Sequence, residues 1–149
     1  MFMDKTVELL KKAHATNFML YHKTHVAHWN VIGALFPELH EVLFFDQYKN
    51  LWKAVDRYAE KIRQLREFAP VNLTELVNLS IISEFDESVS AKDYVASLLS
   101  DHEYFLKLLS ELFRVSGDEN YVGVNNFIQD RYEAHEKMAW MLRSTLDKI

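Results

Sequence analysis

The chain has 149 residues, 49% of them hydrophobic, with 3 Gly, 2 Pro and no Cys. That length suits a single domain, 1–149, with one sizeable core, and so few turn formers argue against a β-rich fold. The missing thiols exclude disulfides, zinc–thiolate sites and thiol catalysis and fit a reducing cytoplasm, and a net charge of −5 carries no footprint of nucleic-acid binding. The opening Met1-Phe2-Met3-Asp4-Lys5 lacks the basic-then-apolar pattern of a leader. No apolar run approaches the ~20 residues of a membrane span.

From about Asp4 to His28 there is neither Pro nor Gly. Val7, Leu10, His14, Phe18, Tyr21 and His25 share one stripe, which predicts a first long helix. Gly33 and Pro37 make Asn30 to Pro37 a connecting loop. A second helix is predicted from about Pro37 to Phe68, stopped by Pro70, with Leu51, Trp52, Val55, Tyr58, Ala59, Ile62 and Leu65 as its apolar stripe. Leu73 to Leu79 reads as a short helix inside the link that follows. Ser90-Ala91-Lys92-Asp93 resembles a capping box and starts a third long helix that Ser116-Gly117 should end. The last helix runs from about Asn120 to Asp147, through Phe127, Ile128, Arg131, His135, Met138 and Leu142. The expected fold is all-α, a ferritin-like four-helix bundle with a short extra helix in the long link between helices two and three.

The histidines are unevenly placed. His22, His25 and His28 repeat at a spacing of three, which puts neighbours on roughly one helical face, and His40 follows twelve residues after His28. Neutral imidazole is a common ligand for iron and zinc, so the cluster points to metal, although single histidines are often exposed or satisfied in a core. Asp56 and Glu60 sit about 40° apart around a helix and would welcome a cation between them, yet such pairs also occur on ordinary solvated faces. No Glu has a His three residues after it. The Glu-x-x-His pairs that build a di-iron site inside one bundle are therefore missing.

The segment His25-Val26-Ala27-His28-Trp29-Asn30-Val31-Ile32-Gly33-Ala34-Leu35-Phe36-Pro37-Glu38-Leu39-His40-Glu41 resembles the signature of the Dps family of mini-ferritins, roughly H-x-x-H-W-N-V-x-G-x-x-F-x-x-L-H-E. Asp56-Arg57-Tyr58-Ala59-Glu60-Lys61-Ile62 is similar to the family's D-x-x-A-E-R-I. The run Asp130 to Lys137 followed by Trp140-Met141-Leu142-Arg143 resembles its closing helix. The resemblance implies a ferroxidase that holds two iron ions at a site shared across a two-fold dimer interface. His28 and His40 would come from one subunit, Asp56 and Glu60 from the other. It implies a hollow dodecamer that oxidises ferrous iron with hydrogen peroxide, or more slowly dioxygen, stores the ferric oxide and so limits oxidative damage. Trp29 would either donate an electron or pack in the core. His25 would support the site or lie exposed, and His135 would be structural.

One departure from the family bears on the site. His40 precedes Asp56 by sixteen residues, where the family has fifteen, so one residue is added between Glu41 and Tyr48. In an α-helix that insertion rotates everything beyond it by about 100° unless a π-bulge absorbs it. The alternative is that Glu41 moves into the place of the histidine. Where many members carry an acid four residues after that histidine, this chain has Phe44 or Phe45. Asp46 is the nearest acid and a candidate metal ligand, as is Glu41. These changes point to an atypical or weakened centre. Few basic residues lie near either terminus, so strong DNA binding is not expected at neutral pH. Gly117-Asp118-Glu119-Asn120 would either line an acidic entry pore or serve a helix N-terminus.

Overall fold

The structure is a computed structural model that describes residues 4–149. The leader reading of Met1-Phe2-Met3 lies outside the described residues. Helix α1 is Lys5–Asn30. Helix α2 is continuous but built in three parts: an α turn Phe36–Glu38, a π-helical segment Leu39–Leu43 and an α-helical body Phe44–Gln64. The short helix α3 is Leu73–Leu79, and the bundle closes with α4, Ala91–Asp118, and α5, Val122–Leu146. No strand occurs among the described residues, and no helix among them is long and apolar enough to cross a membrane.

Local chemistry sets most helix ends. The Ser90 side chain accepts from the Asp93 amide at 3.1 Å, as the capping pattern predicts. Asn72 does the same for Glu75 at 2.8 Å at the start of α3. Two ends differ from expectation. Helix α2 stops at Gln64 instead of near Phe68, because Arg66 takes φ 68° and the Glu67 amide turns back to the Ile62 carbonyl. Helix α4 runs through Gly117, because Asn120 (φ 64°) holds the left-handed position and the Tyr121 amide closes onto Ser116 O at 2.8 Å.

Side-chain bonds give the topology. Asn17 bonds Leu51 and His28 bonds His40, while Thr6 bonds Glu119 and Lys23 bonds Asp101, so α1 is antiparallel to both α2 and α4. Helices α2 and α4 are therefore parallel, and the link bearing α3 crosses the length of the bundle. The core joins Leu10, Leu20, Phe44, Leu51, Tyr58, Phe105, Leu109, Phe127 and Ile128, all at most 2% exposed. Trp52, expected on the apolar stripe, is 57% exposed, and Trp29, for which core packing is one of two readings, is 55% exposed. Of the two acids read as serving either a pore or a helix N-terminus, Glu119 caps the start of α1 through Thr6, and Asp118 pairs with Arg114 at 3.4 Å.

The interior also carries polar groups. His14, His102 and His135 are buried, and His102 Nδ1 meets His135 Nδ1 at 2.9 Å, which gives His135 the structural place expected of it. Burial lowers all three, His102 to about 3 and His135 well below its ordinary value. An unfolded chain would protonate these groups near pH 6.5, before the folded chain does. Their contribution is thus complete above pH 6.5 and is lost as pH falls toward the folded values. Each of the two fully buried histidines should cost about 2 kcal/mol of stability by pH 5. Thermal melts should show the transition falling between pH 7 and pH 5; a flat profile would contradict the burial argument.

Candidate metal centre

The last turn of α1 and the first turns of α2 meet at a histidine pair. His28 Nδ1 lies 2.8 Å from the His40 carbonyl, and His40 Nδ1 lies 2.6 Å from the His28 carbonyl. A carbonyl only accepts, so each imidazole carries its hydrogen on Nδ1 and leaves the Nε2 lone pair free. The rings stack with centroids 3.9 Å apart and 10° between planes. Burial and the neighbouring imidazole lower His28, which keeps it neutral and ready to ligate near pH 7.

The π-helical segment explains how His40 comes to face His28. Its closing bond runs from the Phe44 amide to the Leu39 carbonyl, five residues back, so the segment holds one residue more than an α turn. The added residue is taken up there, and Leu43 and Phe44 still point into the core. Glu41 is exposed, with Oε1 3.7 Å from His40 Nε2, so it flanks the histidine and does not replace it. Phe45 lies beside the His28 ring at 6.1 Å, and Asp46 is exposed at the next position.

Asp56 and Glu60 lie one turn apart on the exposed side of α2. A side-chain hydrogen bond to Asp56, and then its negative charge, push the Glu60 carboxyl up. Asp56 lines a surface hollow of about 480 Å³ with Trp52, Val55 and Ala59. Sixteen residues separate His40 from Asp56, roughly 24 Å along a helix at 1.5 Å per residue. The two histidines and the two carboxylates of one chain cannot reach the same ion. Among the described residues, no three His, Cys, Asp or Glu side chains converge on a point that could hold a metal.

Aromatic rings fill the space around the histidine pair, and sequence reasoning missed most of them. Tyr48 stacks on His25 at 4.1 Å and lies 5.0 Å from His28, while Phe36 stacks on His40 at 4.9 Å. The Tyr21 hydroxyl meets His25 Nδ1 at 3.0 Å, and Trp29 packs on the His25 ring at 4.2 Å. His25 is thus a half-buried support for the His28–His40 pair, lowered by its burial and by His28. The one available signal for Tyr21 was its place four residues before His25. Tyr48 could not be placed without knowing where the extra residue is absorbed.

Comparison with known proteins gives the same assignment at the level of the whole chain. Residues 7–149 match the ferritin-like domain family. The chain is 30% identical over 143 residues to a DNA protection during starvation protein of Helicobacter pylori, covering 95% of this chain and 99% of that one. It is 34% identical to an uncharacterized low temperature-induced protein of Nostoc sp., covering 95% of this chain and 79% of that one. Among solved structures it superposes on Dps from Staphylococcus aureus with a TM-score of 0.90 and 28% identity, covering 95% and 94% of the two chains. It superposes equally well, at 25% identity and covering 95% and 89%, on Dps from Vibrio cholerae, described as a member of a broad superfamily of ferritin-like diiron-carboxylate proteins. With the bundle, its crossover and the chain-long matches in agreement, the chain belongs to the ferritin-like Dps family.

Proposed function

We propose that this chain is the subunit of an iron-storing shell whose sites oxidise ferrous iron. Iron is the substrate and cargo. The observation that carries the proposal is the mutual locking of His28 and His40, which leaves two Nε2 lone pairs presented together while the acid pair of the same chain lies roughly 24 Å away. A two-fold dimer would bring His28 and His40 of one subunit to Asp56 and Glu60 of the partner subunit. Exposed Trp29, Phe36, Val42 and Trp52 flank both half-sites and would be covered by such a dimer. Closure of dimers into a dodecamer gives the storage cavity.

The chemistry asked of the site is a two-electron transfer. Two ferrous ions and one hydrogen peroxide, with two protons, yield two ferric ions and two waters, so no hydroxyl radical is released. Imidazole and carboxylate suit ferrous iron and leave positions open for the oxidant. Glu41, 3.7 Å from His40 Nε2, is the carboxylate best placed to add a ligand, and Asp46 is the second candidate. Phe45 beside His28 supplies an apolar ring in a turn where an acid would help hold iron. That ring favours a second reading, a shell whose oxidation is slow. A shell charge of about −60 would repel phosphates, so protection of DNA would come from removing iron and peroxide.

Ferrous salt mixed with the protein and peroxide should give ferric absorbance faster than buffer does, and His28→Ala and Asp56→Ala should each abolish the excess. A parent rate equal to that of buffer would favour the slow shell. Variants that match the parent would remove these residues from the site. Co-assembling the two inactive variants should restore roughly a quarter of parental activity, because half the dimers are mixed and each mixed dimer carries one intact site. An in-chain site would stay silent in that mixture. In iron-free protein, Asp56→Asn should lower the Glu60 titration midpoint seen by carboxyl NMR; an unchanged midpoint would show that the two acids do not interact.

A further inference from the structure

Phe45 stands beside His28, with ring centroids 6.1 Å apart, in a turn where an acid would help hold iron. Lys49, one turn further along α2, folds back over that ring and brings its Nζ to 4.5 Å from the centroid. It takes the ring although Asp46 lies one turn away, and among the described residues no carboxylate pairs with its ammonium. Lys49 is exposed, on the regular α-helical body of α2. At 100° per residue, Lys49, Asp56 and Glu60 fall within about 40° of one another around that helix, so the ammonium stands on the face that carries the acid pair. A two-fold axis across this face runs the α2 helices of two subunits antiparallel. Asp56 and Glu60 of the partner subunit then come level with the first turns of α2, the level to which the Phe45 contact carries the Lys49 Nζ.

Charge decides what that position can hold, given the shared site proposed above. Asp56 and Glu60 of the partner subunit, together with Glu41, bring three negative charges to the histidine pair, and Phe45 adds none. One ferrous ion and one ammonium balance these three. Two ferrous ions beside the ammonium leave two positive charges in excess, and one in excess even if Asp46 is added. A dimer contact shields the site from water, which strengthens the repulsion between like charges. The acid pair already seeks a cation, since Asp56 pushes the Glu60 carboxyl up.

We propose that Lys49 determines the iron occupancy of the shared site: its ammonium takes the second cation position, against a carboxylate of the partner subunit, so that each site holds one ferrous ion firmly and gains a second only by displacing it. Oxidation by an iron pair then depends on free ferrous iron, which gives the slow shell a cause. Anaerobic calorimetric titration of the iron-free assembly with ferrous sulfate should give one tight ion per subunit, with the next bound about tenfold more weakly or worse. Lys49→Leu should take two tight ions per subunit, and Lys49→Arg, which keeps the charge, should stay at one. Two equally tight ions in the parent, or a single tight ion in both the parent and Lys49→Leu, would overturn the inference. His28→Ala separates it from the reading beneath it. Loss of tight binding in that variant upholds the shared site and leaves Lys49→Leu to decide, whereas binding equal to that of the parent would remove the shared site and this inference with it.

Discussion

Two hydrogen bonds hold together the part of this molecule on which the candidate site depends. Each of His28 and His40 is tied through Nδ1 to the other's backbone carbonyl, so the end of α1 and the start of α2 cannot part without breaking both. The same bonds fix both tautomers and aim both free nitrogens. Ligand orientation by an outer hydrogen bond is a general feature of metal-binding histidines. Here the outer partner of each histidine is the main chain of the other, so positioning one ring positions both. The π-helical turn keeps this arrangement compatible with a continuous α2, because it takes up one residue without rotating Phe44 out of the core.

The electrostatics divide cleanly between inside and outside. Histidines in the bundle are kept neutral by burial, and the Arg131 charge beside His102 and His135 lowers them further. On the surface, Asp56 and Glu60 crowd each other enough that one carboxyl resists ionisation. That crowding is unfavourable for the isolated chain and would be relieved by a cation. The groups proposed to bear on iron are thus on the exterior of each bundle, apart from the buried histidines of the interior.

Much of the fold was legible because its signals are local. The stripe from Val7 to His25, the Ser90 cap and the short helix Leu73–Leu79 all depend on neighbours within a few residues. Helix ends that rest on an unusual backbone were not legible: Arg66 in a left-handed conformation carries no composition signal, and Pro70 and Gly117 drew attention to the wrong places. His28, His40, Asp56 and Glu60 were visible as motif residues, and the π-helical turn was one of two outcomes allowed by the extra residue. The exposure of Trp29 and Trp52 was hidden, because an exposed apolar residue on a helix can share the periodicity of one facing the core. The pairing of His102 with His135, thirty-three residues apart, needs tertiary packing that no local pattern encodes.

The separation of the two half-sites along α2 has a consequence for timing. On the proposed reading, a newly made chain has no place where iron and oxidant can meet, since it carries two halves of different sites and no whole one. The capacity to oxidise iron then appears only at encounter and grows with the square of subunit concentration until dimers form. A dilute or unassembled subunit is chemically silent, and the reaction is confined to particles that already have a cavity in which to leave the product.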